Sequence, residues 1–145
     1  MELEKQLVSL ELSKRLKELG VKQDSIFCWI TTADDTITRT NRVVNPNLYT
    51  EIMTTEKAEM CTYEILCSAF GVSELGEMLP VEITDTNGHY YLWYRKINSK
   101  EWYVSYSHRR NELCLSEEVE DTLADAMAKM LIYLIENNYI EVEKL

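Results

Sequence analysis

Asp121-Thr122-Leu123-Ala124-Asp125-Ala126-Met127-Ala128-Lys129-Met130-Leu131-Ile132-Tyr133-Leu134-Ile135-Glu136-Asn137 carries the strongest helix signal in the 145-residue chain. At about 100° per residue, the apolar side chains from Val119 to Ile135 cover roughly two thirds of the circumference. They leave a thin polar strip of Asp121, Asp125, Lys129 and Glu136. A helix that apolar has to be covered on several sides. Its ends are also written into the chain. Thr122 reads as the N-cap with Asp125 as a capping-box-like partner, and Asn137-Asn138 can supply a left-handed C-terminal residue. The stretch defines an architectural centre and no chemistry.

What this helix packs on is read from the segment before it. Pro80 is followed by Val81 to Thr84, the turn Asp85-Thr86-Asn87-Gly88, and His89 to Ile97, two strands joined through an Asn-Gly turn. A second turn at Asn98-Ser99-Lys100 leads into Glu101 to Ser107. The result is a three-stranded antiparallel meander over 81–107, rich in Tyr90, Tyr91, Trp93, Tyr94, Trp102, Tyr103 and Tyr106. Aromatic side chains on strands pack against a helix, here the long apolar one.

Further upstream, Glu2 to Leu19 reads as a helix closed by Gly20. Its leucines do not form one stripe. Leu3, Leu7 and Leu10 fall on one side, and Val8, Leu12, Leu16 and Leu19 nearly opposite. One face packs on the domain, and the Leu3, Leu7, Leu10 face is read as an interaction face. Its partner is another part of the fold, a second protomer in a homodimer, or a different protein. Ile26 to Ile30 reads as a buried strand, and Thr36 to Val44 as a weak one between turns. Leu48 to Met53 and the alternating Cys61 to Phe70 read as further strands, with a helix from Glu56 as the alternative for the second. Val72 to Leu79 is a short helix capped by Gly71, with Glu74 in its first turn and Pro80 as its stop. The long helix is expected to begin soon after Ser116, which makes Glu117-Glu118 solvated charges at a helix N-terminus. The expected fold is therefore a single α+β domain over 1–145. An antiparallel sheet, made of the meander plus one to three further strands, packs against a long C-terminal helix, with an N-terminal helix beside it.

Composition excludes several function classes. With 4 Gly and 2 Pro the chain has no room for long linkers, and at this length one core suffices. Charges interrupt the first twenty residues, so they are no secretory leader, and no apolar run reaches bilayer length. A cytoplasmic location is expected, with no membrane partner and with Cys28, Cys61, Cys67 and Cys114 as reduced thiols, each read as a small buried hydrophobe. The net charge of −10 opposes binding to nucleic acid. It is unevenly spread. Residues 51 to 85 hold eight acids and one base, residues 86 to 111 one acid and five bases, and residues 112 to 145 nine acids and two bases. Arg95, Lys96, Lys100, Arg109 and Arg110 beside Trp and Tyr resemble a stacking platform, a reading that the two acidic blocks disfavour.

No nucleophile elbow, phosphate loop or dinucleotide fingerprint is present, and the glycines at 20, 71, 76 and 88 are too scattered to cradle a phosphate. His89 and His108 lack the spacing of zinc ligands, and both read as polar residues at strand ends. No catalytic residue, cofactor or metal is expected.

Three stretches carry a resemblance. Glu4-Lys5-Gln6-Leu7-Val8-Ser9-Leu10-Glu11-Leu12 through Leu16 to Gln23 is one. Cys67-Ser68-Ala69-Phe70 with Glu74-Leu75-Gly76-Glu77-Met78-Leu79-Pro80 is the second, and Ala124 to Asn137 the third. Together they resemble a group of uncharacterised small proteins encoded by bacteriophages, prophages and mobile elements of gut and Gram-positive bacteria. Gly71 departs from that pattern where a capping Thr is usual, and Met127 where an Arg is usual. The resemblance implies a phage or prophage setting and carries over no activity. The leading expectation is thus a non-enzymatic accessory protein acting through protein–protein contact, with a host or phage protein or a second copy as partner. One alternative is an acidic nucleic-acid mimic that blocks a host DNA-binding protein with carboxylates from Glu51 to Asp85 and Glu112 to Glu143. The other is a small enzyme using His89 or His108.

Overall fold

The computed structural model describes residues 2–33, 48–110 and 113–145. The chain order is α1 (Leu10–Glu18), β1 (Phe27–Ala33), β2 (Leu48–Thr54), α2 (Thr55–Met60), β3 (Glu64–Ser68), α3 (Val72–Met78), β4 (Glu82–Asp85), β5 (Gly88–Lys96), β6 (Trp102–Ser107), β7 (Cys114–Glu120) and α4 (Leu123–Glu136). Single 3-10 turns stand at Leu3–Gln6 and Val142–Lys144. The class is α+β, with every strand pair antiparallel. The weak strand expected over 36–44 lies outside the described residues.

The strands form two sheets, a three-stranded one in the order β2-β1-β3 and a four-stranded one in the order β4-β5-β6-β7. The early strands therefore build their own sheet and do not extend the meander. Both readings of the Glu56 region are realised in turn: α2 occupies Thr55–Met60, capped by Thr54, and β3 follows.

Helix α4 sits on β6 and β7 and is flanked by α1 and α3. Ala124, Ala126, Met127, Ala128, Met130, Leu131 and Leu134 are all buried, so the wide apolar arc is covered by a sheet on one side and two helices on others. Each of the larger side chains contributes about 1.5–3 kcal/mol by its burial. From the sheet come Ile83, Tyr90, Val104 and Tyr106, and from α3 Leu75. Tyr106 is fully buried, and its hydroxyl donates to the Pro80 carbonyl at 2.6 Å, so its one polar atom is satisfied. A smaller core of Cys28, Ile30 and Ala58, with Met53 against it, holds the three-stranded sheet to α2.

Two element assignments are corrected. The first is the continuous N-terminal helix: the chain is extended at Leu7 to Ser9, between a 3-10 turn and α1. Backbone groups of Val8 and Ser9 that the break leaves outside the helix find partners elsewhere. Val8 N–H donates to Phe70 O at 3.0 Å, and Val8 O accepts from Trp29 Nε1 at 3.1 Å and from Ser13 Oγ at 3.3 Å. Leu7 bridges Gly71. A straight helix buries only one of its two leucine faces, whereas the break lets Leu7, Val8 and Leu16 all be buried.

The second correction concerns Cys114 to Glu120. It is an edge strand paired to β6, with Tyr103 opposite Val119 and Ser105 opposite Glu117. Glu117 and Glu118 therefore point to opposite faces of a sheet and are not the first turn of a helix. Strand chemistry is masked here because an edge strand has one neighbour and needs few apolar residues. The caps expected for α4 are present: Thr122 Oγ1 accepts from Asp125 N–H at 3.2 Å, and Asn138 is left-handed with φ 59°. The Asp125 carboxylate, however, accepts from the backbone N–H of Ser9 at 2.8 Å and so ties α4 to the start of α1.

Cys28 and Cys67 are buried as expected, and burial raises both thiol pKa values. Cys61 and Cys114 are exposed, which corrects the reading of them as buried hydrophobes; Cys61 follows the last turn of α2 and Cys114 opens an edge strand. None of the four forms a disulfide. No helix among the described residues is long and apolar enough to cross a membrane.

Candidate functional site

Alternation along the meander divides its aromatic residues between two faces. Tyr90, Val104 and Tyr106 point inward to α4. Tyr91, Trp93 and Arg95 on β5 point outward, and pair with Ser107, Ser105 and Tyr103 on β6. No element covers this outer face among the described residues, and Trp93 remains 53% exposed. The expectation that the aromatics pack on the helix thus holds for the inward set alone.

The outer face is concave where it is small. Ser105 and Ser107 are flanked by Trp93, Arg95 and Tyr103, leaving a depression of about 320 Å³ whose rim includes His108. The serine hydroxyls lie 3.0 Å apart, and Ser105 is buried beneath its taller neighbours. Tyr103 OH donates to Glu117 Oε2 at 3.1 Å, which fixes the ring over the strand. The Arg95 guanidinium lies 5.2 Å from the centre of the Tyr103 ring, and that of Arg109 lies 4.5 Å from Tyr91. Such stacks contribute about 0.5–1 kcal/mol each at exposed sites and also orient the cation.

The two histidines are placed differently. His89 Nδ1 lies 2.9 Å from Thr84 Oγ1 on an exposed cross-strand pair. His108 turns its ring over Gly88 and sets it edge-on to Tyr90, with centroids 6.0 Å apart. Its Nδ1 is buried and has no hydrogen-bond partner among the described residues. The structure does not bring the two rings onto a shared nucleophile. Among the described residues no group of three His, Cys, Asp or Glu side chains is arranged to hold a metal ion.

The carboxylate pairs also separate. Glu74 spans α3 and the β1 approach, accepting from Gly71 N–H at 2.7 Å and Ser25 Oγ at 3.0 Å, while Glu77 is exposed. Glu118 and Glu120 face α4 beside Lys129, whose ammonium pairs with Glu120.

The expected interaction face does not assemble as one surface. Leu3 is 44% exposed, Leu7 is 4% exposed and Leu10 is half-buried. Leu3 and Leu7 contribute to a cleft of about 480 Å³ with Ile26, Val72, Trp102 and Leu123, whereas Leu10 lines a separate depression on α1. The break at Leu7 to Ser9 is the cause, because a face three to four residues apart needs an unbroken helix. The basic aromatic meander stands out in the sequence, but its open face does not: alternation shows that a strand has two faces, not which one a helix covers.

The architecture defines an α+β protein in which one sheet is backed by helices and keeps its other face open. Comparison with protein-family models, curated proteins and solved structures finds no match to this chain.

Proposed function

We propose that the chain is a non-enzymatic accessory protein that acts by protein–protein contact, in the phage or prophage setting implied by the sequence resemblance. Its working surface in this reading is the outer face of β5 and β6. One observation carries it: Trp93, Tyr91, Tyr103, Arg95 and Arg109 stand together on a sheet face that no element covers among the described residues. Tyr, Trp and Arg are the residue types on which interface binding energy concentrates, since each offers a large, stiff contact area with a polar end.

The test is capture from a host lysate by the wild-type protein and by the doubly substituted Trp93→Ala, Tyr103→Ala protein. A protein retained by the wild type and lost by the variant is the expected result. A partner held equally by both would move the contact surface elsewhere, and no partner for either would overturn the reading. Circular dichroism and the unfolding midpoint should be nearly the same for both proteins, because both side chains point away from the core.

A further inference from the structure

Five cations stand on the β5–β6 hairpin and just beyond it: Arg95, Lys96, Lys100, Arg109 and Arg110. Among the described residues none of them pairs with a carboxylate, although the chain has 25 acidic residues. Elsewhere Lys5, Lys22, Lys129 and Lys144 each pair with one, and Arg15 with two. Three of the hairpin cations are held by rings instead, Arg95 by Tyr103, Arg109 by Tyr91, and Lys96 by Trp102 at 5.7 Å. A ring occupies a face of the guanidinium plane and leaves the N–H edge free, so a carboxylate can still be met by two parallel hydrogen bonds. Prior orientation by the ring lowers the entropy lost when that anion arrives.

We infer that this face receives an acidic protein segment, with its carboxylates on Arg95 and Arg109 and an apolar side chain lying on Trp93 over the Ser105 depression. The inference rests on the protein-contact reading above and names the chemistry of the partner. Charge complementarity selects the occupant. An extended nucleic acid is disfavoured because its continuous charge must also pass the exposed Glu82 and Glu117 and the half-buried Glu101 of a chain with net charge −10. A short peptide can place its few carboxylates at Arg95 and Arg109 and set its apolar side chain, not a charge, beside Glu117, which lies opposite Ser105.

The experiment uses the full chain and a labelled peptide of Glu and Asp residues around a single Phe, followed by fluorescence anisotropy. Binding that weakens as salt is raised, and that falls by about tenfold or more in Arg95→Gln, Arg109→Gln, is expected. A Lys-for-acid peptide should not bind. Equal binding by wild type and variant would overturn the inference. Tighter binding of a single-stranded oligonucleotide of equal charge would do the same. So would self-association in light scattering that disappears in the variant, since the occupant is then a second copy. Failure of the acidic peptide while lysate capture still depends on Trp93 leaves the contact reading standing and removes only the acidic partner; loss of both removes both.

Discussion

The Asp125 carboxylate accepts the backbone N–H of Ser9 at 2.8 Å across 116 positions of sequence. This one bond joins the first turn of α4 to the N-terminal end of α1, at the point where the chain stops being extended and becomes helical. Removing the acceptor leaves a half-buried N–H without a partner. Asp125→Ala should therefore cost about 1–3 kcal/mol, read from urea unfolding. Asp125→Asn keeps an acceptor oxygen and should cost clearly less. Equal costs for the two variants would mean that the bond is not what Asp125 contributes.

Acidification should stabilise the protein. Burial raises the pKa of Asp125, opposed in part by its bonds from Ser9, and burial likewise raises that of Glu118, opposed in part by Lys129. A carboxyl whose folded pKa is raised binds its proton more tightly folded than unfolded, so its ionised form costs stability at neutral pH. That cost is full above the folded pKa and disappears as the pH falls toward the unfolded carboxylate value of about 4. Lys129 stays charged throughout this window because its own pKa is raised by the Glu120 contact. The urea midpoint should accordingly increase as the pH is lowered from neutral toward about 4, and the increase should shrink in Asp125→Asn, Glu118→Gln. A midpoint that falls over that interval would contradict the assignment.

Met130 and Leu134 are fully buried on α4. Truncating either to Ala opens a cavity in the core cluster that α4 shares with the sheet, and should cost on the order of 2–5 kcal/mol. Denaturant unfolding of each variant checks it; a near-zero cost would show that α4 is not the centre of the core.

Gly88 opens β5 with φ 141°, and a Cβ there would stand 2.7 Å from His108 Nε2. Gly88→Ala should cost about 1–3 kcal/mol, through backbone strain together with the clash. In a His108→Ala background the clash is gone and the strain remains, so the same change should cost less. A double-mutant cycle of thermal or urea midpoints separates the two parts, and a coupling of zero would place the His108 ring elsewhere.

Much of the frame was legible in the residues. Thr122 caps α4, Gly71 and Glu74 open α3, and Gly20 takes φ 90° after α1, each as its residue type requires. The Asp85 to Gly88 turn joins β4 to β5. These are local signals, set within a few residues. β7 escaped because Leu115, Ser116, Glu117, Glu118 and Val119 have too few apolar positions to reveal their period, and they become a strand through bonds to β6 alone.

What the sequence determined by itself is the set of elements whose hydrophobic period and end residues agree: α4, α3 and the β4–β5–β6 meander. The tertiary structure decided which faces of these elements are covered. It broke the N-terminal helix because partners on Phe70, Trp29 and Asp125 could satisfy Val8 and Ser9 outside a helix. It also left Trp93, Arg95 and Tyr103 outward while Tyr90 and Tyr106 were buried. Local preference is a property of neighbouring residues, whereas burial depends on what distant segments bring to each face.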